Sequence, residues 1–135
     1  MAAGRYSFII EQGSTVSFEI QYADSSGDPI DLTHYTARMQ LRPTVTSDDV
    51  ICTLTSTRGD DGTGLNMSGS SDDNPPTSGS IGVYISAYSS SLFSGWSTAR
   101  YDLEIRSGSG VNTYVDRILE GNVKLSKEVT RNGNP

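Results

Sequence analysis

Alternation with a period of two constrains this chain more than any other feature. In ARYDLEIRS (99–107), Tyr101, Leu103 and Ile105 share one parity, and Asp102, Glu104 and Arg106 share the other. YTARMQLRP (35–43) repeats the pattern, with Ala37, Met39 and Leu41 set against Arg38, Gln40 and Arg42. In TVSFEIQYAD (15–24), Val16, Phe18, Ile20 and Tyr22 oppose Ser17, Glu19 and Gln21. Strand side chains point alternately to opposite faces, so each segment predicts a strand with one buried and one wet face. A helix would scatter the same apolar residues around its circumference.

Shorter runs complete the set. YSFIIEQG (6–13), VICTLT (50–55), LNMS (65–68) and SIGVYIS (80–86) read as strands, with turns at SSGD (25–28) and GSGVN (108–112). Ile30 and Leu32 bracket Asp31 in a short edge segment, and Pro43 ends its ladder because it has no amide to donate. TYVDRILEGNVKLS (113–126) is the long closing strand. The adjacent Ile118 and Leu119 break its parity, so a bulge is expected over 118–121, with Gly121 tolerating the distortion. AYSSSLFSGW (87–96) lacks the period of two. Ala87, Leu92 and Phe93 suit one short helical turn over an end of the fold. GSSDDNPPTSG (69–79) is the most loop-like stretch and is expected to be exposed and mobile. About seven or eight short strands with regular turns predict an all-β, antiparallel, immunoglobulin-like sandwich. It forms a single domain over 1–126, followed by a C-terminal tail over 127–135.

Composition narrows the function. The net charge is −6, and the ten Lys and Arg are dispersed. Nucleic-acid affinity rests on clustered cations that neutralise phosphate, and anionic membranes ask for the same, so neither partner is expected. No apolar run of about 18 residues is present to span a membrane. The N-terminus has no secretory signal pattern, so synthesis in a cytoplasm without ordinary secretion is expected.

Candidate chemistry is sparse. The single cysteine, Cys52, sits in an apolar stretch and reads as a small buried hydrophobe. The single histidine, His34, precedes a strand, and no partner for nucleophilic catalysis is evident. One Cys and one His exclude the zinc patterns. Asp60, Asp61, Asp72 and Asp73 offer oxygens to calcium, but their spacing fits no EF-hand loop, and they read as turn formers. RGD at 58–60 is too short a motif to assign. No catalytic residue, metal site or cofactor is assigned, and no enzymatic activity is expected. Candidate interface residues are the aromatics Tyr84, Tyr88 and Trp96 and the tail cations Lys127 and Arg131.

Four stretches occur in a recognisable order: GDPIDLT (27–33), YTARMQLR (35–42), YDLEI (101–105) and LEGNVKLSKEVTR (119–131). This order resembles a group of small virion structural proteins of tailed phages, especially contractile-tailed marine and cyanobacterial ones. It is also similar to the N-terminal attachment domain of upper-baseplate proteins in siphophages. The resemblance implies a non-enzymatic β-sandwich that docks in multiple copies on other virion structural proteins of a symmetric particle. The first expectation is an adaptor on the baseplate or tail, assembled in the host cytoplasm. A capsid (head) decoration protein is the alternative within that class. Outside it, a carbohydrate-binding module would use Tyr84, Tyr88 or Trp96 as a stacking platform, with or without calcium on the Asp loops.

Overall fold

A computed structural model of the chain describes residues 4–69, 76–108 and 110–129. The strands run in chain order as β1 (Gly4–Arg5), β2 (Phe8–Glu11), β3 (Val16–Gln21), β4 (Thr36–Arg42), β5 (Cys52–Thr55), β6 (Gly64–Asn66) and β7 (Ser80–Ile85). After a short helix α1 (Ala87–Ser91) come β8 (Thr98–Ser107) and β9 (Tyr114–Ser126). Short 3-10 turns lie at Pro76–Ser78 and Gly110–Asn112.

Two sheets face each other as a sandwich. The larger has the order β1-β9-β8-β4-β5, with β2 also on β9, and the smaller is β3-β7-β6. The alternating segments of the sequence supply the inner faces. Ala37, Met39 and Leu41 of β4 meet Ile105, Leu103 and Tyr101 of β8 in register. Ile81, Val83 and Ile85 come from β7 opposite them. Met39, Leu41, Leu103, Ile81 and Ile85 have no exposed surface. Each such side chain contributes roughly 1.5–3 kcal/mol through removal from water. The outer face of the large sheet carries a charge ladder, with Arg38 on Glu104 at 2.8 Å and Arg117 on Asp102 at 3.3 Å. These pairs are half wet and fix register more than they add stability.

The all-β sandwich of mostly antiparallel sheets is the class expected. Within it β1 and β2 both pair with β9 in parallel, and three local expectations need correction. The long strand β9 therefore does not close the sheet but runs inside it. The segment around Ile30 and Leu32 is not a strand; a lone bridge joins Ala23 to Pro29, and Asp24 organises the turn by accepting the amides of Ser26 and Asp28. Leu92 points to solvent and leaves Phe93 to cover the core end. The loop expected to be mobile over 69–79 falls mainly outside the described residues, and its ends Gly69 and Gly79 are buried.

The bulge lies where Ile118 and Leu119 meet. Leu103 pairs with Leu119, but Glu104 pairs with Arg117, which leaves Ile118 as the extra residue. Gly121 has a different role from the one expected. It lies opposite Tyr101, and a Cβ there would sit 2.0 Å from the Tyr6 carbonyl oxygen. That carbonyl accepts the Tyr101 hydroxyl at 2.6 Å, so the N-terminal segment crosses β9 only over a bare backbone. Gly121→Ala is expected to destabilise the fold by about 2–4 kcal/mol, because the clash is with backbone. Urea unfolding of the two proteins measures it, and an unchanged midpoint would contradict the close approach.

Candidate functional site

A recess opens on the outer face of β3-β7-β6. Tyr84 stands at its centre because its cross-strand neighbours are small: Ser17 on β3 and Gly64 on β6. Tyr84 is 36% exposed. Gly62 runs along one edge of the ring, where a Cβ would approach within 3.2 Å. Beside the ring is a groove of about 290 Å³ lined by Arg58, Asp61, Asn66 and Gly82. An aromatic wall beside amide, guanidinium and carboxylate groups suits a flat polar ligand edge or a partner side chain.

Asp61 is the electrostatic centre of this region. Its carboxylate accepts the hydroxyls of Ser86 at 2.5 Å, Ser89 at 2.6 Å and Thr63 at 3.0 Å, and the Thr63 amide at 3.1 Å. The Ser86 and Ser89 hydroxyls, the largest contributions, hold the Asp61 carboxyl well below the usual carboxylate range. Ser86 is also the N-cap of α1, accepting the Ser89 amide at 3.0 Å. One loop carboxylate thus fixes the start of the helix. The fully buried Ser90 fixes its other side, donating to the Ser14 carbonyl at 2.8 Å and accepting the Gly13 amide at 3.1 Å.

The loop of Asp60 and Asp61 differs from what the calcium alternative asks for. Asp61 spends its oxygens on internal hydroxyls, and Asp60 is exposed beside it. Asp72 and Asp73 lie outside the described residues. Among the described residues no group of three or more His, Cys, Asp or Glu is placed to hold a metal ion. The RGD tripeptide sits in a tight turn, in which the Gly59 amide donates to the Thr63 carbonyl at 3.0 Å.

The candidate aromatics do not form one platform. Tyr84 belongs to the outer face of the small sheet, and Tyr88 projects from α1 with 71% exposure. Trp96 is partly buried, its ring 5.9 Å from Phe93 and packed against the core. Lys127 is exposed just past β9, and Arg131 lies outside the described residues. His34 is exposed, and no helix among the described residues is long and apolar enough to cross a membrane. Cys52 is half-buried in β5, and burial pushes its thiol up to about 11.

Sequence reasoning missed the partnership of Asp61 with Ser86 and Ser89. The only local signal was Ser86 just before the short helical turn, a residue type favoured at a helix N-cap. Compared with known proteins, the chain matches no family profile and no curated sequence.

Two measurements check this picture. Asp61 has a lowered folded pKa, so its stabilisation is full above the unfolded value of about 4 and is lost as pH falls towards the folded one. Asp61→Asn should lower the melting temperature at pH 7 and flatten the acid limb of the stability profile below about pH 4. Equal acid limbs in the two proteins would count against the hydroxyl cage. The raised Cys52 thiol should react with a thiol reagent at pH 8 at least about tenfold slower in the folded protein than in urea.

Proposed function

We propose that this chain is a non-enzymatic structural protein of a tailed-phage virion, acting as an adaptor on the baseplate or tail. The observation that supports the reading most is where the family-like stretches fall. TARMQLR of the second stretch is β4, YDLEI is the middle of β8, and LEGNVKLS is the end of β9. Those strands are neighbours in the order β9-β8-β4. The GDPIDLT stretch forms the turn leading into β4, where Asp31 accepts the Thr33 amide at 2.9 Å and the Thr33 hydroxyl. The resemblance is thus one of contiguous scaffold: the central strands of one sheet and the turn that feeds them. A shared scaffold with divergent loops is what an adaptor needs, since it repeats one rigid shape on a symmetric particle and varies its contacts.

The acidic charge and the ion-paired outer face suit docking to polar protein surfaces. Head decoration places the same domain on a capsid. The Tyr84 groove favours sugar binding as a second reading, since an exposed ring flanked by amide and charged groups is the usual make-up of a saccharide subsite.

Mass spectrometry of separated heads and tails from the parent particle decides among these. The chain is expected in the tail fraction, in several copies per particle. Its presence on heads alone would replace the adaptor with a decoration protein. Absence from both would overturn the virion reading. Binding on a glycan array that Tyr84→Ala abolishes would establish the sugar-binding reading instead.

A further inference from the structure

A strand edge with unpaired amides is a template for another strand, and folded proteins normally guard such edges with charge, proline, shortness or cover. Four edges border the two sheets. On β3, Glu19 stands near the middle. The three-residue β6 begins at Gly64, too short to template a partner. The four-residue β5 lies beside β6. The fourth edge, formed by β1 and β2, is different. Between Arg5 and Glu11 its sequence is Tyr-Ser-Phe-Ile-Ile, without charge or proline.

Most of the outward backbone of this edge is available. The amides of Tyr6 and Gln12 donate to the carbonyls of Glu120 and Ser126, so even-numbered residues bond to β9. The alternate residues Arg5, Ser7, Ile9 and Glu11 turn their peptide groups the other way, where no strand lies among the described residues; the Glu11 carbonyl also accepts the Ser14 amide at 2.9 Å, and the Ser7 hydroxyl accepts the Asn122 amide of β9 at 3.2 Å. Ile9 is 58% exposed and Tyr6 46%. Behind them opens a cleft of about 460 Å³ between β2 and β3, with Phe8 and Phe18 in its wall. The rings of Phe8 and Phe18 are 5.0 Å apart, and Tyr6 leans over them 5.4 Å from Phe18.

We propose that this edge pairs with the same edge of a second copy, antiparallel about a twofold axis at Phe8. The inference is independent of the virion reading. An antiparallel twofold at Phe8 sets Ser7 opposite Ile9 of the other copy and Arg5 opposite Glu11. Both charge pairs are then of opposite sign, and no like charges meet. Glu11 has no ion partner among the described residues, and Arg5 is 3.9 Å from Glu120 with its side chain 79% exposed. Phe8 meets Phe8 across the axis on the inner face, which carries the aromatic cleft into the partner. Two short strands meeting at their edges cover less than the roughly 1,200 Å² of a stable standing interface. The pair is therefore weak and forms at high protein concentration.

Cross-linking tests the register. Ser7→Cys and Ile9→Cys are made separately in a Cys52→Ser background and mixed at millimolar concentration under a mild oxidant. In a hydrogen-bonded antiparallel pair the two Cα atoms are about 5.5 Å apart, within disulfide reach. The mixture is expected to give a covalent dimer and each variant alone far less. Arg5→Glu should weaken dimerisation in sedimentation runs about threefold to tenfold, and adding Glu11→Arg should restore it. A monomer at all concentrations, or no cross-link in the mixture, overturns the proposal and leaves the edge to a strand of a different chain. A cross-link from Ile9→Cys alone overturns the Phe8 axis.

Discussion

The extra residue in β9 sets the arrangement of the rest. A strand has one parity, and β9 has to serve two environments. From Leu119 onward its odd residues Leu119, Val123 and Leu125 face the core. Before the bulge, Asp116 is opposite Ile105 and therefore inward. There it accepts the Tyr22 hydroxyl of the other sheet at 3.0 Å. Burial and the Asp116 carboxylate together raise Tyr22 to about 12, so the tyrosine remains a donor across the physiological range. A β9 without the bulge would put Ile118 or Leu119 into water and take Asp116 off Tyr22.

The N-terminal strands depend on that register. With β9 placed, Gly121 falls at the point where Tyr6 must cross, and β1 and β2 zip onto the far side of β9 in parallel. Parallel pairing joins residues far apart in sequence, which exacts a larger loop-closure entropy than a hairpin. Its reward is burial of Phe8 and Ile10 and a Tyr6 carbonyl held by Tyr101. It also leaves the outer side of β2 open, which is why this edge is the one that invites a partner.

The loop side is held by hydroxyls instead of apolar contacts. Asp61, Thr63, Ser86 and Ser89 form one cage, and Ser90 ties α1 to the turn between β2 and β3. Gln12 adds a third tie, donating to the Phe93 carbonyl at 2.7 Å and accepting the Glu128 amide at 3.1 Å. A helix of five residues has almost no intrinsic stability, so these side-chain bonds are what place it. The groove beside Tyr84 takes its floor and lip from the same loop.

The period-two segments determined on their own which residues are buried in β3, β4 and β8, because strand geometry ties parity to face without reference to any partner. The bulge was legible for the same reason: two adjacent apolar residues cannot both be inward on a regular strand. The exposed parities of Tyr84 and the turn character of the Asp stretches were also local facts. Strand neighbours were not. Nothing in YSFIIEQG distinguishes a parallel partner from an antiparallel one, since the same side chains alternate in both. The role of Asp61 was hidden because its partners lie 25 and 28 residues away, brought together only when β6 and β7 pair. The packing of Trp96 on Phe93 was hidden likewise, because it depends on the end of the sandwich that Phe93 covers and not on the residues beside it.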